Sequence, residues 1–317
     1  MRLAAEFREL LDRPIPGVSF TPFADVTKKT TMKTRARAAM LAHADCPRGL
    51  AELLRRARAM GWPLRMLGGG ANTLFAAGFY EGVLVTLGNA FAQVEYLGGT
   101  MLRAGSATPM PRLLKLANQH GLMGLEFLHM VPGQVGGGLA GNAGAGDYGL
   151  CEFLERCLCL TRDGRLLEVG RGGFDYGYRF SELSQVVVLE ADFRLMPLHA
   201  QEAERRKADF KAKKAGQPYD WPSSGCIFKN PRPAGGGKPV SAGKLIDEAG
   251  LKGYRIGDAA VSEGHANFII NLGEATGEDF LALITLIQDV VQEKHGVELE
   301  AEVKILGGPL ERAAAVA

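Results

Sequence analysis

Two glycine clusters carry the most chemical information in this chain. Gly68-Gly69-Gly70-Ala71-Asn72 follows a short apolar stretch, and Gly121 to Gly149 holds ten glycines in 29 residues with almost no charge. Glycine inside a helix or strand costs about 0.5–1 kcal/mol relative to alanine, so such density needs a reason. Either the backbone turns where a side chain would clash, or bare N–H groups approach a ligand. An anion such as a pyrophosphate is the usual ligand of exposed amides. The longer stretch is therefore not expected to be an ordinary core element, the plain alternative being a buried glycine turn. The successive N–H groups of residues 68–72 suit a diphosphate, and Asn72 tolerates a tight turn. The 121–149 stretch suits the opposite wall, bent by Pro132 and Gly133, with Asn142 offering hydrogen bonds to a flat heterocycle. A long ligand with phosphates at its centre, such as FAD, fits the pair. Residues 136–141, Gly-Gly-Gly-Leu-Ala-Gly, formally match G-x-G-x-x-G. They follow a Pro-Gly turn instead of a strand and lead into Asn-Ala-Gly-Ala-Gly instead of a helix, so the dinucleotide fold of that signature is rejected.

The elements that position these clusters are legible from periodicity. Leu50, Leu53, Leu54 and Ala57 give a helix over 49–60, ended by Gly61. Residues 63–67 read as a strand running into the first glycine cluster. Strand-like segments follow at 83–87, 93–96 and 101–104. Residues 109–120 read as a helix with Thr108 as cap and Gly121 as stop. A hairpin is expected from 154–160 and 165–169 around Asp163-Gly164, then a strong strand at 186–195. Residues 199–214 form a polar helix, where the composition shifts. Beyond it come a loop at 231–239, a helix near 242–249, a long helix at 278–295 with Leu281, Ile284, Leu286 and Ile287 inward, and a last strand at 301–306.

Composition bounds the function classes. A length of 317 residues suggests about two domains, and 46% hydrophobic with 23% charged residues is ordinary for a globular protein. No apolar run spans a membrane, and the start MRLAAEFRELLDRP lacks a signal-peptide core, so a cytoplasmic protein is expected. The net charge of +2 gives no reason to expect nucleic acid as a partner. The five cysteines (46, 151, 157, 159 and 226) are not expected to form disulfides. Cys157 and Cys159 lack further ligands at metal spacing and read as small packing residues, so no metal site is expected.

At this point a family resemblance emerges. The segments LGGGANTLF (67–75), GLEFLHMVPGQVGGGLAGNAGAG (124–146), YGYRFSEL (176–183), PSSGCIFKNP (222–231), AGKLIDEAGLKGYRIGDAAVSEGHANFIIN (242–271) and LEAEVKILG (299–307) resemble the UDP-N-acetylenolpyruvoylglucosamine reductase family, in the family's order. The resemblance implies an α+β protein: a two-subdomain FAD-binding fold of the vanillyl-alcohol-oxidase/PCMH type plus a smaller α+β substrate-binding domain. The implied division is a FAD-binding domain over 1–197, split near 75, a connecting helix at 198–214 and a substrate domain over 215–317. Its last strand contributes to the active site. The implied reaction is reduction of UDP-N-acetylglucosamine enolpyruvate to UDP-N-acetylmuramate, with NADPH as reductant and FAD as carrier, by a monomer.

Residue roles carry over position by position. Arg179 matches the arginine that meets the developing enolate, a task suited to a permanent planar cation. Glu302 matches the catalytic glutamate. Cys226 stands where the family commonly has its serine proton donor, and a thiol, with a reference pKa of about 8.5, is the more acidic group. Ser223 and Ser224 are adjacent fallback donors. The resemblance places FAD on Gly68, Gly69, Gly70, Ala71, Asn72, Thr73, Pro132, Gly133, Gly136, Gly137, Asn142, Ala143 and Gly144. Tyr178, Lys229, Asn230 and one lysine of 211–214, taken as Lys214, are its substrate contacts. Two positions depart from the pattern: Arg35-Ala36-Arg37 replaces a glycine-containing turn, and Ala71 replaces a serine. The competing readings are a flavin oxidoreductase of the same fold acting on another substrate, and a non-catalytic flavin- or sugar-nucleotide-binding paralogue.

Overall fold

The computed structural model describes residues 7, 10, 12–146, 148–213, 215–232 and 237–307. The chain opens with β1 (Val18–Asp25), β2 (Arg37–Ala44), helix α1 (Pro47–Ala59), β3 (Leu64–Met66), β4 (Thr73–Phe75) and β5 (Phe79–Leu87). Then come β6 (Val94–Gly98), β7 (Met101–Gly105), α2 (Met110–Gln119), β8 (Leu122–Met123) and α3 (Val135–Ala140). The short pairs β9 (Gly144–Ala145) and β10 (Tyr148–Gly149) lead to β11 (Leu154–Leu160) and β12 (Leu166–Gly170). A second short pair, β13 (Tyr176–Gly177) and β14 (Phe180–Ser181), precedes β15 (Val187–Arg194), β16 (Met196–Pro197) and α4 (Ala200–Lys213). The last stretch holds β17 (Ser223–Cys226), α5 (Ala242–Glu248), β18 (Arg255–Ile256), β19 (Ala259–Val261), β20 (Phe268–Asn271), α6 (Gly277–His295) and β21 (Lys304–Leu306).

The chain divides into two compact units. The first comprises Met1–Pro22, Met40–Gly69 and Gly82–Ala215; the second comprises Phe23–Ala39, Gly70–Glu81 and Gly216–Ala317. The boundaries fall inside β1, β2 and β5, so the second unit takes in two N-terminal stretches as well as the C-terminal third.

In the first unit a five-stranded sheet runs β12-β11-β15-β7-β6. The β11–β12 hairpin forms around Gly164 at φ +73°, with Cys159 opposite Leu167. Cys157 and Cys159 face the core with sulfurs 3.5 Å apart, as small packing residues. Asp192 on β15 is buried and held by Arg103 through Nε (2.7 Å) and Nη2 (2.9 Å), and by Arg156 Nε at 2.9 Å. Burial works to raise the Asp192 carboxyl, and the two guanidiniums outweigh it, holding the group below the usual carboxylate range. Its contribution to stability is therefore present above the ordinary Asp value and is lost as pH falls through the lowered one.

Helix α2 corrects one expectation. Thr108 does not cap it: its hydroxyl donates to Gln93 O (3.1 Å), Pro109 takes the N-cap position, and Met110 N–H donates to Gly133 O at 3.1 Å. The start of α2 is thus satisfied by the glycine-rich loop. Helix α4 is more than a connector. Its Phe210 is buried against Phe127 (6.5 Å between ring centroids) and Tyr148 (6.2 Å), while Arg205, Arg206 and Lys207 pair with acidic neighbours on its own surface.

The second unit has its own core: Met32, Leu74, Ile227, Phe228, Ile246, Ile269, Phe280 and Ile287 among others. Its sheet runs β17-β20-β19-β18. Helix α6 begins with a reciprocal cap between Thr276 and Asp279 and ends at Gly296, φ +65°. The expected last strand is shorter than read. Regular pairing begins at Lys304, parallel to Thr73 of β4, and Ala301 makes only an isolated bridge to Phe228.

Candidate active site

In the first unit the two glycine clusters meet. A Cβ on Gly69 would stand 3.0 Å from Gly133 Cα, and one on Gly68 would stand 3.1 Å from Gln134 Oε1. Gly133 itself has φ +111°, so Pro132-Gly133 does bend the chain against the first cluster. In the second unit Gly70, at φ +61°, lies so close to Lys29 O that a Cβ there would stand 1.9 Å from it. Thr31 N–H donates to Gly70 O at 3.1 Å. Among the described residues, no protein acceptor meets the N–H groups of Gly68, Gly69, Gly70, Ala71 or Asn72. Gly68 and Gly69 are exposed and Ala71 and Asn72 half-buried, and successive accessible amides of this kind suit an anion.

The longer cluster is half core, against expectation. Leu122, Leu125, Phe127, Leu128, Val135 and Leu139 are all buried. Residues 136–140 lie in helix α3, and two of its three glycines are explained by packing. A Cβ on Gly136 would stand 2.9 Å from Ser106 Cβ, and one on Gly138 would stand 2.6 Å from Met110 Cε. Gly144 is likewise excluded from bearing a side chain by Tyr148 O. Gly137 differs: it is exposed, and nothing lies within 4 Å of its Cβ position. Alanine is about 1 kcal/mol better than glycine inside a helix. Gly137→Ala is therefore expected to leave the flavin-free protein as stable or slightly more so, yet to weaken FAD binding. Melting temperature and flavin titration together check this.

Asn142 has left-handed backbone, φ +43°, and a committed amide: Nδ2 donates to Gly177 O (2.8 Å) and Oδ1 accepts from Cys151 N–H (3.0 Å). It anchors the β13–β14 hairpin. That hairpin turns at Tyr178-Arg179, with Gly177 opposite Phe180. Arg179 sits at φ +55°, a conformation that costs a non-glycine residue roughly 1–2 kcal/mol. Its guanidinium lies over the Tyr178 ring at 5.4 Å. Phe23, Lys33 and Asn142 share this left-handed backbone among the described non-glycine residues.

The second unit assembles Cys226 and Glu302. Cys226 ends β17 opposite Phe268, after a register shift that places Gly225 at φ +82°. The next residues pair with the C-terminal segment: Glu302 N–H donates to Ile227 O at 2.7 Å, and Lys229 N–H to Glu300 O at 2.9 Å. Burial raises the Tyr219 phenol, and the neighbouring Cys226 adds to that shift. Ser224 Oγ is buried with no hydrogen-bond partner among the described residues. Lys229 Nζ pairs with Glu300 (2.5 Å), and Asn230 Oδ1 accepts from Ala242 N–H at 3.0 Å, at the start of α5. Lys214 lies outside the described residues.

The sequence reading missed Asn267. Its amide brackets Phe228, accepting from the N–H and donating to the C=O at 2.9 Å each, and so fixes the segment that follows Cys226. A buried asparagine inside the apolar run HANFIIN was the available signal. The Arg35-Ala36-Arg37 departure also resolves. None of the three needs left-handed backbone; that conformation falls on Lys33, φ +54°, and Arg35 turns its charge to Glu274.

The donor set fits FAD. The buried hydroxyls of Thr30, beside Gly70, of Thr34, and of Ser106, beside Gly136, have no partner among the described residues. In each unit, accessible backbone donors and buried hydroxyls are groups that suit a polar dinucleotide. No cluster of three metal-ligating side chains occurs among the described residues. These features are those of a protein that binds a diphosphate-containing dinucleotide and carries a second, separately cored unit.

Comparison with known proteins agrees. Residues 38–170 match the FAD binding domain model, and 217–306 match the C-terminal domain of UDP-N-acetylenolpyruvoylglucosamine reductase. The chain is 41% identical to that reductase from Geobacter metallireducens over 249 residues, 78% of this chain and 80% of the other. It is 34% identical to the Agathobacter rectalis reductase over 315 residues, 95% and 98% of the two chains. The crystal structure of the Thermus caldophilus reductase superposes with a TM-score of 0.76 at 33% identity, covering 92% of this chain and 99% of that one. The chain belongs to the UDP-N-acetylenolpyruvoylglucosamine reductase family. It is an FAD-dependent enzyme that reduces UDP-N-acetylglucosamine enolpyruvate to UDP-N-acetylmuramate with NADPH, in peptidoglycan precursor synthesis.

Proposed function

We propose that Arg179, Cys226 and Glu302 carry the catalysis. FAD, held by the residues of the two glycine clusters, would supply the hydride-transfer chemistry between NADPH and the enolpyruvyl ether. Arg179 provides a fixed positive charge for the enolate-like density that develops beside the substrate carboxylate. The Cys226 thiol gives its proton to the neighbouring carbon, which completes the saturated lactyl ether. Glu302 stabilises the same density through a hydrogen bond or proton.

The single observation that supports this reading is the hydrogen-bonded ladder from Ile227 to Lys229 and from Glu300 to Glu302, which sets Glu302 across from the residue after Cys226. Tyr178, Lys229, Asn230 and Lys214 are the proposed substrate contacts. The Lys229–Glu300 pair is solvated on the Glu300 side, and such pairs contribute only about 0–1 kcal/mol, so a diphosphate readily replaces the carboxylate. Gly68 to Thr73, Pro132, Gly133, Gly136, Gly137, Asn142, Ala143 and Gly144 are the proposed FAD contacts. The protein is proposed to act as a cytoplasmic monomer on a free sugar nucleotide, without nucleic acid or membrane. No helix among the described residues is long and apolar enough to cross a bilayer.

Glu302→Gln tests the reading. It keeps a hydrogen-bonding side chain but loses the charge and the acid. A hydrogen bond to a charged group is worth about 1.5–3 kcal/mol, so reoxidation of the reduced enzyme by substrate is expected to slow by roughly 10- to 150-fold. Stopped-flow absorbance of the flavin measures it, and an unchanged rate removes Glu302 from the mechanism.

A further inference from the structure

The backbone of Glu302 is hydrogen-bonded on both sides. Its N–H donates to Ile227 O at 2.7 Å, and its C=O accepts from Asn72 Nδ2 at 3.0 Å. Asn72 O in turn accepts from Lys304 N–H at 3.1 Å. The side chain and main chain of one residue therefore bracket 302–304, just before the parallel pairing of Thr73 with Lys304 begins. A residue has two soft backbone torsions, and engaging both its N–H and its C=O fixes them. The direction in which Glu302 projects its side chain is then set, and only the side-chain torsions remain.

We infer that Asn72 is a positioning residue for Glu302. It closes the run of unclaimed amides at 68–72 and sends its side chain to a carbonyl 230 residues away, so the seat proposed for the diphosphate and the backbone of the proposed acid share one hydrogen-bonded unit. The choice of side chain follows. An amide nitrogen is needed as donor; Ser is one atom shorter and Ala has no donor, and either leaves the Glu302 carbonyl without this partner. The inference rests on the reading of Glu302 as a catalytic group.

The test uses NADPH-reduced holoenzyme and the enolpyruvyl UDP sugar, with rates taken per bound flavin. Asn72→Ala is expected to slow reoxidation at saturating substrate at least tenfold, with little change in the concentration giving half-maximal rate. The double variant Asn72→Ala/Glu302→Gln is expected to be no slower than Glu302→Gln, because both changes remove the same function. Hydrogen exchange in the holoenzyme supplies a readout apart from turnover: the amides of Glu302 and Lys304 should exchange at least tenfold faster in the Asn72 variant. Asn72→Ser serves the same purpose if the alanine protein does not fold. A normal rate in the Asn72 variant beside a slow Glu302→Gln enzyme overturns this inference alone, as does additivity in the double variant. A normal rate in Glu302→Gln overturns both this inference and the role of Glu302.

Discussion

Cys226→Ala should reoxidise on substrate about 10²–10⁴-fold more slowly than the native enzyme, the usual worth of a positioned proton donor. Bleaching of the flavin by NADPH should proceed near its normal rate, because no protein proton is needed in that step. Cys226→Ser should retain much of the activity, since a hydroxyl at the end of β17 can deliver the same proton. The effect is large because Cys226 is placed by a specific device: the register shift against β20, made possible by Gly225 at φ +82°. The buried hydroxyl of Ser224 gives the experiment its counter-result. If Cys226→Ala turns over normally and Ser224→Ala does not, the proton comes from Ser224.

Arg179 gives the second large effect, with an unusual pairing of signs. Arg179→Ala should lower the rate of reoxidation about 10²–10³-fold, the range for loss of one preorganised charge-stabilising group. Arg179→Lys should remain impaired, since a point charge lacks the planar fork that meets a carboxylate. Arg179→Gly should lose the same activity yet raise stability by roughly 1 kcal/mol, because glycine adopts φ +55° without the steric cost that Arg179 bears. Thermal unfolding and stopped-flow kinetics on the same variants check both signs. A destabilised Arg179→Gly protein would mean that the side chain holds the hairpin together and that no strain is stored there.

Much of this was legible in the sequence, and the remainder was hidden for identifiable reasons. Helices α1, α2, α4 and α6 and strands β7, β11 and β15 follow from local periodicity, and their boundaries fall within a few residues of expectation. The meeting of the two glycine clusters was also readable, because glycine at Gly69 and Gly133 leaves a trace in composition. Composition could not separate glycines kept for packing, such as Gly136 and Gly138, from one kept without any packing demand, Gly137. That distinction depends on neighbours distant in the chain. Asn142 illustrates the same limit: its partners at Gly177 and Cys151 are set by the fold and leave no trace in local sequence. Thr108 failed as a cap because Gln93 O competes for its hydroxyl and Gly133 O takes over the helix start. The final strand was read too long because Ala301 bridges Phe228 and Glu302 is bonded to Ile227 and Asn72, none of which is a sequence neighbour.

The central claim is that this chain passes electrons from NADPH through FAD to an enolpyruvyl sugar nucleotide. The most direct measurement is an anaerobic two-step titration of purified holoenzyme. NADPH should bleach the flavin absorbance in the blue, and one equivalent of UDP-N-acetylglucosamine enolpyruvate should then restore it, with UDP-N-acetylmuramate formed in equal amount. Flavin that bleaches but is restored only by oxygen, with the enolpyruvyl ether recovered intact, would contradict the account.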